Sequence, residues 1–530
     1  MRVAIIGAGV AGLGAAFKLR RAADAGCSVA YRVFEATGRV GGQLWTERTA
    51  DGIVADGGSD SYLTRKPSIR RVAGLLGMAD AICGTDDTNK QTYIVKDGQL
   101  VALPDGIMMF APTKVLPMAT TRLYSWPAKF RMLGDLVLPR RKQPAGGMTD
   151  ESIASLVRRR LGNECLVRLA EPLVGGVNGS DVETMSTLAT YPDLLAMEQQ
   201  YGSLIRGFLA QRKRGQAAAR NAESNRRAHE KTSHEVFSES ARNADVNKEA
   251  AHEKTFKKVF SESAPFVPNE RAARPTFFSS FRDGLGSFTD ALADAVGREH
   301  IHLNTPIEHL DFVEGTYCLA GEHFDAVIIA APAWCAAELL RTFASDTADI
   351  LSVIPHSSCA TVVSAYADAD GPRDRAWHGV LAPHIEHERV TGISYVSSKW
   401  QGRTPPGLCL LRGFVGGARD PETPLLPDDE LVELVHDSYV RLLGVPAQAR
   451  PVWSRVFRFP RSMPQYLVGH LDRMEELSQL LAARPGLALA GAAYRGVGVP
   501  NCLESGEEAA CKVLLDAGMV FNENATGVGA

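Results

Sequence analysis

Residues 2–14 read RVAIIGAGVAGLG, a short apolar run followed by spaced glycines and the start of a helical pattern. The apolar run is typical of a buried parallel strand, and Gly7, Gly9 and Gly12 form the GxGxxG turn of a strand–turn–helix unit. A side chain at Gly7 would obstruct the turn, one at Gly9 would hold a pyrophosphate away from the backbone, and one at Gly12 would separate helix and strand. The helix N-terminus offers amide donors and partial positive charge to phosphates. The stretch predicts a dinucleotide-binding unit; a glycine-rich turn without a ligand is the alternative.

The next segment adds an acidic residue and an arginine. The strand SVAYRVFE ends in Glu35, 23 residues after Gly12, where a carboxylate can accept hydrogen bonds from ribose hydroxyls. Directly beyond it, EATGRVGGQLWT places Arg39 beside Gly41 and Gly42. An arginine next to two glycines suits contact with phosphate, and a solvated surface charge is the alternative.

A second glycine-rich turn, YRGVGVPNC (494–502), lies near the end of the chain. An apolar strand is predicted just before it, at 487–491, and a helix after it, opening at Glu504 to Glu508. Gly496 and Gly498 allow close approach of a ligand, and the helix dipole behind them can stabilise negative charge. The alternative is a glycine cap or a hairpin turn.

Together these motifs resemble the FAD fingerprints of the flavin amine oxidase superfamily, so FAD is favoured over NAD. The sequence shows no second strand, GxGxxG, helix unit for a nicotinamide cofactor. Residues 150–207 resemble, almost end to end, the helical region of the oxygen-dependent protoporphyrinogen and coproporphyrinogen III oxidase family. Four further stretches resemble the same family and occur in the same order: GGSDSYLTRKP (57–67), FRDGLGSFTDALADAVG (281–297), MPQYLVGHLDRMEEL (463–477) and the late turn.

The resemblance implies a flavoenzyme that oxidises a porphyrinogen, protoporphyrinogen IX or coproporphyrinogen III, to the porphyrin in haem biosynthesis. Hydride would pass to flavin N5, and oxygen would reoxidise the flavin and yield hydrogen peroxide. No catalytic side chain is predicted, because pyrrole nitrogens can release protons as the ring aromatises. The expected FAD contacts are Gly7, Gly9, Val10, Ala11, Gly12, Glu35, Ala36, Arg39, Gly41, Gly42, Gly57, Ile307, Gly491, Gly496, Val497, Gly498 and Val499.

Two residues are predicted to lie near the substrate. Gly176 matches a family glycine whose backbone lies over the macrocycle. The alternative, that Gly176 is required only for packing, stays equally open. Several family members place an arginine before the strand TYIVKDGQLVALP to pair with a propionate, whereas this chain has NKQTY and leaves Lys90 as the nearest cation. An ammonium binds carboxylate without the bidentate fork of arginine, so the choice between the two porphyrinogens stays open.

The predicted fold class is α/β, with a discontinuous Rossmann-like FAD-binding domain, a mixed-sheet substrate domain and an inserted helical domain. In the helical domain, TDESIASLVRRRLG (149–162) predicts an amphipathic helix capped by Thr149 or Asp150, and further along the chain the alternation in IHLNTPIEHLDF (301–312) predicts a strand. Residues 211–275 are polar and repeat AHEKTSHEVFSESA (from 228) as AHEKTFKKVFSESA (from 251), which predicts a disordered or partly helical insertion. The expected boundaries are 1–88, 276–345 and 481–515 for the FAD domain, 89–107 and 346–480 for the substrate domain, 108–210 for the helical domain and 516–530 for a flexible tail.

Composition narrows the partners and the compartment. A formal charge of −3 gives no global field for nucleic acid, and nine cysteines without a CxxC pair indicate a reducing cytoplasm. The N-terminal stretch lacks the leader of a signal peptide, and the apolar run 324–340 is broken by charges and proline, so no transmembrane helix is predicted. The HxH at 300–302 and the HxxH at 384–387 lack a third ligand, so no metal site is predicted.

The segment from Gly106 to Lys142 combines seven Lys or Arg and one acidic residue with several apolar side chains. Such a mixture is typical of peripheral membrane contact, here at the inner face of the membrane, and apolar residues that line the core are the alternative. Handover of the product to ferrochelatase is a further expectation.

Two alternative classes stay open. An amine oxidase or a polyene desaturase can share the fold, although amine oxidases use an aromatic cage and the late turn offers only Tyr494. A non-catalytic prenyl-protein escort shares the architecture without flavin redox, and the intact glycine motifs argue against it.

Overall fold

A computed structural model describes residues 1–144, 147–176, 179–215, 217 and 276–521 of the chain. The repeats expected to form a disordered insertion, and most of the predicted tail, lie outside these residues. Where the insertion was expected to begin at 211, the helix that starts at residue 204 continues to residue 215.

A five-stranded parallel sheet is assembled from distant parts of the chain. The first strand lies in its middle, with Ile5 opposite both Val33 and Ile328, and Ile328 opposite Ala488. Their side chains are buried, as expected where helices cover both faces of a parallel sheet. The α/β class and the discontinuous first domain are thereby confirmed. In order across the sheet the strands are Ile301–His302, Ala30–Phe34, Arg2–Ile6, Ala326–Ile329 and Leu487–Leu489.

Two helices from opposite ends of the chain, Val10–Asp24 and Val499–Asp516, pack against each other on this sheet. A Cβ added at Gly506 would overlap the carbonyl oxygen of Ala11, and one at Gly14 would lie 2.7 Å from Leu503 Cδ1. Both glycines therefore allow the two helices to lie close together. The last helix begins at Val499, five residues before the predicted Glu504 start.

A mixed seven-stranded sheet forms the second layer. Strand Trp377–Leu381 pairs in parallel with Gln91–Lys96, and the other pairs of neighbouring strands in this sheet are antiparallel. Helix Asp428–Leu443 contributes Tyr439 to the core on this sheet. In order the strands are Trp453–Pro464, His356–Ala367, Leu408–Gly416, Val390–Tyr395, Trp377–Leu381, Gln91–Lys96 and Gln99–Ala102.

The inserted helical region has its own core and a buried polar centre. Arg160 and Asp135 are both fully buried and pair at 2.6 Å. Helix Ile153–Arg160 is capped by Ser152, so the prediction of Thr149 or Asp150 as its cap was wrong. Asp150 accepts instead from the Ser186 hydroxyl and the Leu188 amide. The helices here are Val115–Thr120, Trp126–Leu133, Ile153–Arg160, Asn163–Cys165, the π-helix Leu166–Gly175, Thr187–Thr190 and Pro192–Tyr201.

The strand predicted through IHLNTPIEHLDF is limited to Ile301–His302, and the chain resumes strand structure at Asp311–Val313. No helix in the described part of the chain is long and apolar enough to cross a membrane. The other strands are Thr46–Arg48, Val54–Asp56, Tyr62–Leu63, Ile82–Gly84, Ile107–Met108, Ala111–Pro112, Phe278–Phe281, Thr316–Leu319 and Glu322–Phe324; the other α-helices are Pro67–Leu75, Gly286–Val296, Ala333–Leu340, Ser345–Ser352, Val396–Lys399, His470–Ala482 and Ala492–Arg495.

Candidate FAD site

The candidate site lies at the carboxyl edge of the parallel sheet, where ligands bind in open α/β folds. The first strand ends there in Gly7, whose φ of 105° suits glycine and whose amide donates to the Phe34 carbonyl at 2.7 Å. The neighbouring strands are followed by Glu35 and Ala330 at the same edge. Open α/β sheets bind their ligands in a crevice at this edge, so we call the region where these three segments meet the crevice.

The glycines of the first turn serve two different purposes. A Cβ at Gly12 would overlap the Gly7 carbonyl oxygen and lie 3.3 Å from Ala330 Cβ, so the protein itself requires this glycine. A Cβ at Gly9 would meet only Gly42 Cα, at 3.9 Å, so the space over Gly9 is open. No side chain caps helix Val10–Asp24, which leaves its first-turn amides to a ligand. This open cradle fits a diphosphate.

Glu35 is held in place by protein donors. Its Oε2 accepts from the Ala8 amide at 2.8 Å, and its Oε1 accepts from the Thr37 amide at 2.9 Å and hydroxyl at 2.7 Å. A carboxylate oxygen has two acceptor positions, so Oε2 can still receive a ribose hydroxyl. Thr305 donates to the Glu35 carbonyl, which brings the segment leading to half-buried Ile307 beside exposed Ala36.

Arg39 stabilises the second glycine pair directly. Its Nη2 donates to the Gly42 carbonyl at 2.6 Å, and its Cζ lies 4.3 Å above the Trp45 ring. Burial lowers the pKa of Arg39, and the charge of Glu35 partly offsets this effect. The Gly41 amide donates to the Ala8 carbonyl at 2.8 Å, so this turn lies against the first one.

The late turn reaches the same edge through the strand Leu487–Leu489. Gly491 has a φ of 121° and donates to the Ser505 hydroxyl, and Gly496 has a φ of 138°. Helix Val499–Asp516 starts after Gly498 without a side-chain cap, so the Val499 and Asn501 amides of its first turn are left to a ligand, while Pro500 has no N–H. Val497 is half-buried and Val499 is buried in this turn.

The seven-stranded sheet closes one side of the crevice. A Cβ at Gly57 would lie 2.8 Å from Phe457 Cβ, so Gly57 packs directly on this sheet. The buried Arg412 donates to the Asp56 and Gly58 carbonyls at 2.8 and 3.0 Å. Sequence reasoning missed Arg412, although a single charge within the apolar strand LCLLRGFVG was a usable signal.

A buried carboxylate supports this wall. Asp60 accepts from Lys399 at 3.1 Å and faces Arg412 at 3.7 Å. Burial alone would raise the pKa of Asp60, but the charges of Lys399 and Arg412 hold it well below its usual range. The wall therefore depends on a charged cluster as well as on packing.

The structure does not bring Lys90 and Gly176 together. Gly176 follows the π-helix, and a Cβ there would lie 4.0 Å from the Thr391 carbonyl oxygen, which accepts from Ala382. Exposed Lys90 precedes Gln91, which pairs with Trp377, five residues before Ala382. At a strand rise of ~3.3 Å per residue, Trp377 beside Lys90 and Ala382 beside Gly176 are ~16 Å apart along the sheet.

Among the residues that the structure describes, no group of three or more His, Cys, Asp and Glu side chains is arranged to hold a metal ion. The two histidine pairs noted in the sequence are thus not extended by a third ligand within that part of the chain.

Known proteins resemble the chain over nearly its full length. It is 33% identical to a coproporphyrinogen III oxidase from Propionibacterium freudenreichii subsp. freudenreichii, over 98% of this chain and 92% of that protein. It is 29% identical to the coproporphyrinogen III oxidase of Staphylococcus aureus, over 97% and 99% of the two chains. A solved structure from Exiguobacterium sp. 255-15 matches with a TM-score of 0.76 and 25% identity, covering 97% of this chain and 99% of that one. The model of the flavin containing amine oxidoreductase family matches residues 10–514, and the chain belongs to that family.

Proposed function

We propose that the protein is an FAD-dependent porphyrinogen oxidase of haem biosynthesis, acting on coproporphyrinogen III. The observation that carries the proposal is the near-full-length likeness to two coproporphyrinogen III oxidases. The crevice supports it, because two uncapped helix N-termini and two glycine turns meet there beside a wall from a second sheet.

In this proposal the FAD contacts are the residues predicted from the sequence. The open space over Gly9 and the free amides from Val10 onward receive the diphosphate, and Glu35 accepts from a ribose hydroxyl. Ala36 and Ile307 lie at the adenine end, and the late turn lies at the flavin end. The other proposed contacts are Gly7, Ala11, Gly12, Arg39, Gly41, Gly42, Gly57, Gly491, Gly496, Val497, Gly498 and Val499.

The chain contributes positioning more than acid–base chemistry. Bound FAD supplies a hydride acceptor at N5 and is reoxidised by oxygen, which yields hydrogen peroxide. Arg412 binds the Asp56 and Gly58 carbonyls, so it ties the wall beside the crevice to segment 56–58. Amides of the late turn lie where they can stabilise negative charge.

On the substrate side we propose that the Gly176 backbone contacts the macrocycle. Its half-buried position at the end of the π-helix, beside the seven-stranded sheet, supports this role. Lys90 then contacts a propionate at the distant end of the same sheet. The porphyrin product passes to a ferrochelatase in this scheme.

Porphyrin fluorescence tests the reaction. The purified protein is incubated in air with coproporphyrinogen III and protoporphyrinogen IX in parallel, and autoxidation is subtracted with protein lacking flavin. We expect faster porphyrin formation from coproporphyrinogen III, with peroxide released. Faster turnover of protoporphyrinogen IX would contradict the substrate choice, and turnover of neither would refute the proposed reaction while leaving the FAD site intact.

We also propose that the protein is cytoplasmic and binds the inner face of the membrane through its helical region. Six apolar side chains there are more than half exposed. The single acidic residue of segment 106–142, Asp135, is fully buried, so the exposed charges of this segment are positive. Such a surface suits anionic lipid. The six side chains are Val115, Leu116, Trp126, Phe130, Leu133 and Val137.

Sedimentation with anionic phospholipid vesicles tests this contact. We expect wild-type protein to sediment with the vesicles at low salt and the Trp126→Ser, Phe130→Ser double variant to stay in solution. The matched control, Val353→Ser with Leu425→Ser, removes exposed apolar residues elsewhere and should bind like wild type. Equal binding of all three proteins would exclude this surface.

A further inference from the structure

Residues 465–470, QYLVGH, join the three parts of the molecule, and we call them the junction segment. Gln465 follows the seven-stranded sheet and donates to the Ser357 hydroxyl at 3.1 Å. The Tyr466 carbonyl accepts from the Ser186 amide of the helical region at 2.7 Å, and the Gly469 amide donates to Asp150 at 3.0 Å. The segment therefore bonds to the sheet and to the helical region at once.

The third set of contacts reaches the late turn. The Tyr466 hydroxyl donates to the Ala492 carbonyl at 2.6 Å and accepts from the Gly496 amide at 2.7 Å. One buried phenol thus bridges both ends of the short helix Ala492–Arg495. The φ of 138° at Gly496 suits glycine, and the bond to Tyr466 helps to set the direction of its amide.

His470 reinforces the same turn. Its ring stacks on Tyr466 with the centroids 4.0 Å apart and the planes 10° apart. Its Nε2 donates to the Tyr494 carbonyl at 2.9 Å, since a carbonyl can only accept. Two side chains of the junction segment therefore hold the turn at three backbone groups.

We infer that Tyr466 is a positioning residue for the flavin end of FAD, supported by His470. It acts through the Gly496 amide and the turn before helix Val499–Asp516, and it does not touch the reacting atoms. The inference rests on the proposed placement of the flavin beside the late turn. Without the hydroxyl, the Gly496 amide loses its acceptor, and the uncapped helix N-terminus is free to shift from the flavin.

The test compares Tyr466→Phe with Tyr317→Phe. Tyr317 is a buried tyrosine of the FAD domain whose hydroxyl donates to the Pro485 carbonyl at 3.1 Å, just before the start of strand Leu487–Leu489 and thus at the edge opposite the crevice. FAD affinity is measured by quenching of flavin fluorescence on addition to apoprotein, and the flavin midpoint potential by spectroscopic titration. We expect Tyr466→Phe to weaken FAD about tenfold and to make the midpoint potential more negative. Tyr317→Phe should change neither.

A second pair keeps the inference testable where Tyr466→Phe folds poorly. His470→Gln retains a donor for the Tyr494 carbonyl and should preserve the potential better than His470→Leu. The inference is refuted when Tyr466→Phe matches Tyr317→Phe in both measurements, or when the two His470 variants have the same potential. None of these readouts requires porphyrinogen turnover, so failure of the proposed reaction would be seen separately.

Discussion

Gly9→Ala separates cofactor binding from folding. Gly9 has φ −72° and ψ 178°, an extended conformation that alanine adopts freely, and its added Cβ would meet no described protein atom closer than 3.9 Å. Alanine restricts the unfolded chain, which stabilises the fold by about 0.4–1 kcal/mol, but it is a poorer N-cap by a similar amount. We therefore expect the unfolding free energy of the apoprotein to change by less than about 1 kcal/mol.

The effect on FAD should be much larger. A methyl group over the first turn would hold the diphosphate away from the helix amides and remove one or two charge-assisted hydrogen bonds. Such bonds contribute about 1.5–3 kcal/mol each, so a loss of about 2–4 kcal/mol corresponds to ~30- to 1,000-fold weaker binding. Quenching of flavin fluorescence measures this affinity, and urea denaturation of the apoprotein measures stability.

Gly12→Ala is the matched comparison. Its Cβ would overlap the Gly7 carbonyl oxygen and lie 3.0 Å from the Gly7 carbonyl carbon, and neither backbone atom can move alone. We expect a loss of about 1–3 kcal/mol of apoprotein stability from this overpacking. Should Gly9→Ala destabilise the apoprotein as much as Gly12→Ala does, the space over Gly9 is not open; should it bind FAD like wild type, the diphosphate lies elsewhere.

Three further changes probe the supports of the site. Arg39→Lys keeps the charge but cannot reach both the Val40 and Gly42 carbonyls, so FAD affinity should fall by about 3- to 10-fold in the same fluorescence titration, and an unchanged affinity would show that the turn does not need Arg39. The depressed pKa of Asp60 means that the unfolded chain binds more protons, so stability should fall as the pH drops below about 4; thermal unfolding between pH 7 and pH 3 should show a weaker acid dependence in Asp60→Asn, and an identical dependence would contradict the assigned role. Arg160→Met leaves Asp135 buried without its cation and should cost about 3–5 kcal/mol in urea denaturation, whereas Arg158→Met, which loses only exposed contacts with Glu183 and Asn163, should cost less than about 1 kcal/mol; equal losses would exclude a special role for the buried pair.

The parts of the site that the sequence predicted are those that depend on local backbone geometry. The first turn was readable because a strand, spaced glycines and a helix follow each other directly, and each glycine has a steric reason. The late turn was readable for the same reason, and its return to the first sheet is confirmed by the pairing of Ile328 with Ala488. Neither required knowledge of distant contacts.

Other features depend on partners that lie far away in the chain. Asp150 was a reasonable helix cap by sequence, but its carboxylate accepts from Ser186, Leu188 and Gly469, and these tertiary bonds outweigh local capping. Lys90 was chosen by its charge, and only the strand register shows how far it lies from Gly176.

Contacts between distant parts of the chain also hold the wall and the late turn in place. Arg412 holds the carbonyls of Asp56 and Gly58, and Tyr466 holds the carbonyl of Ala492 and the amide of Gly496. In both cases a side chain from outside the parallel-sheet layer binds backbone groups that every residue type possesses. The sequences of segment 56–58 and of the late turn therefore do not reveal these contacts, apart from the glycines that allow close approach. Because these bonds hold the wall and the late turn at separate points, a change at one point should leave the other in place.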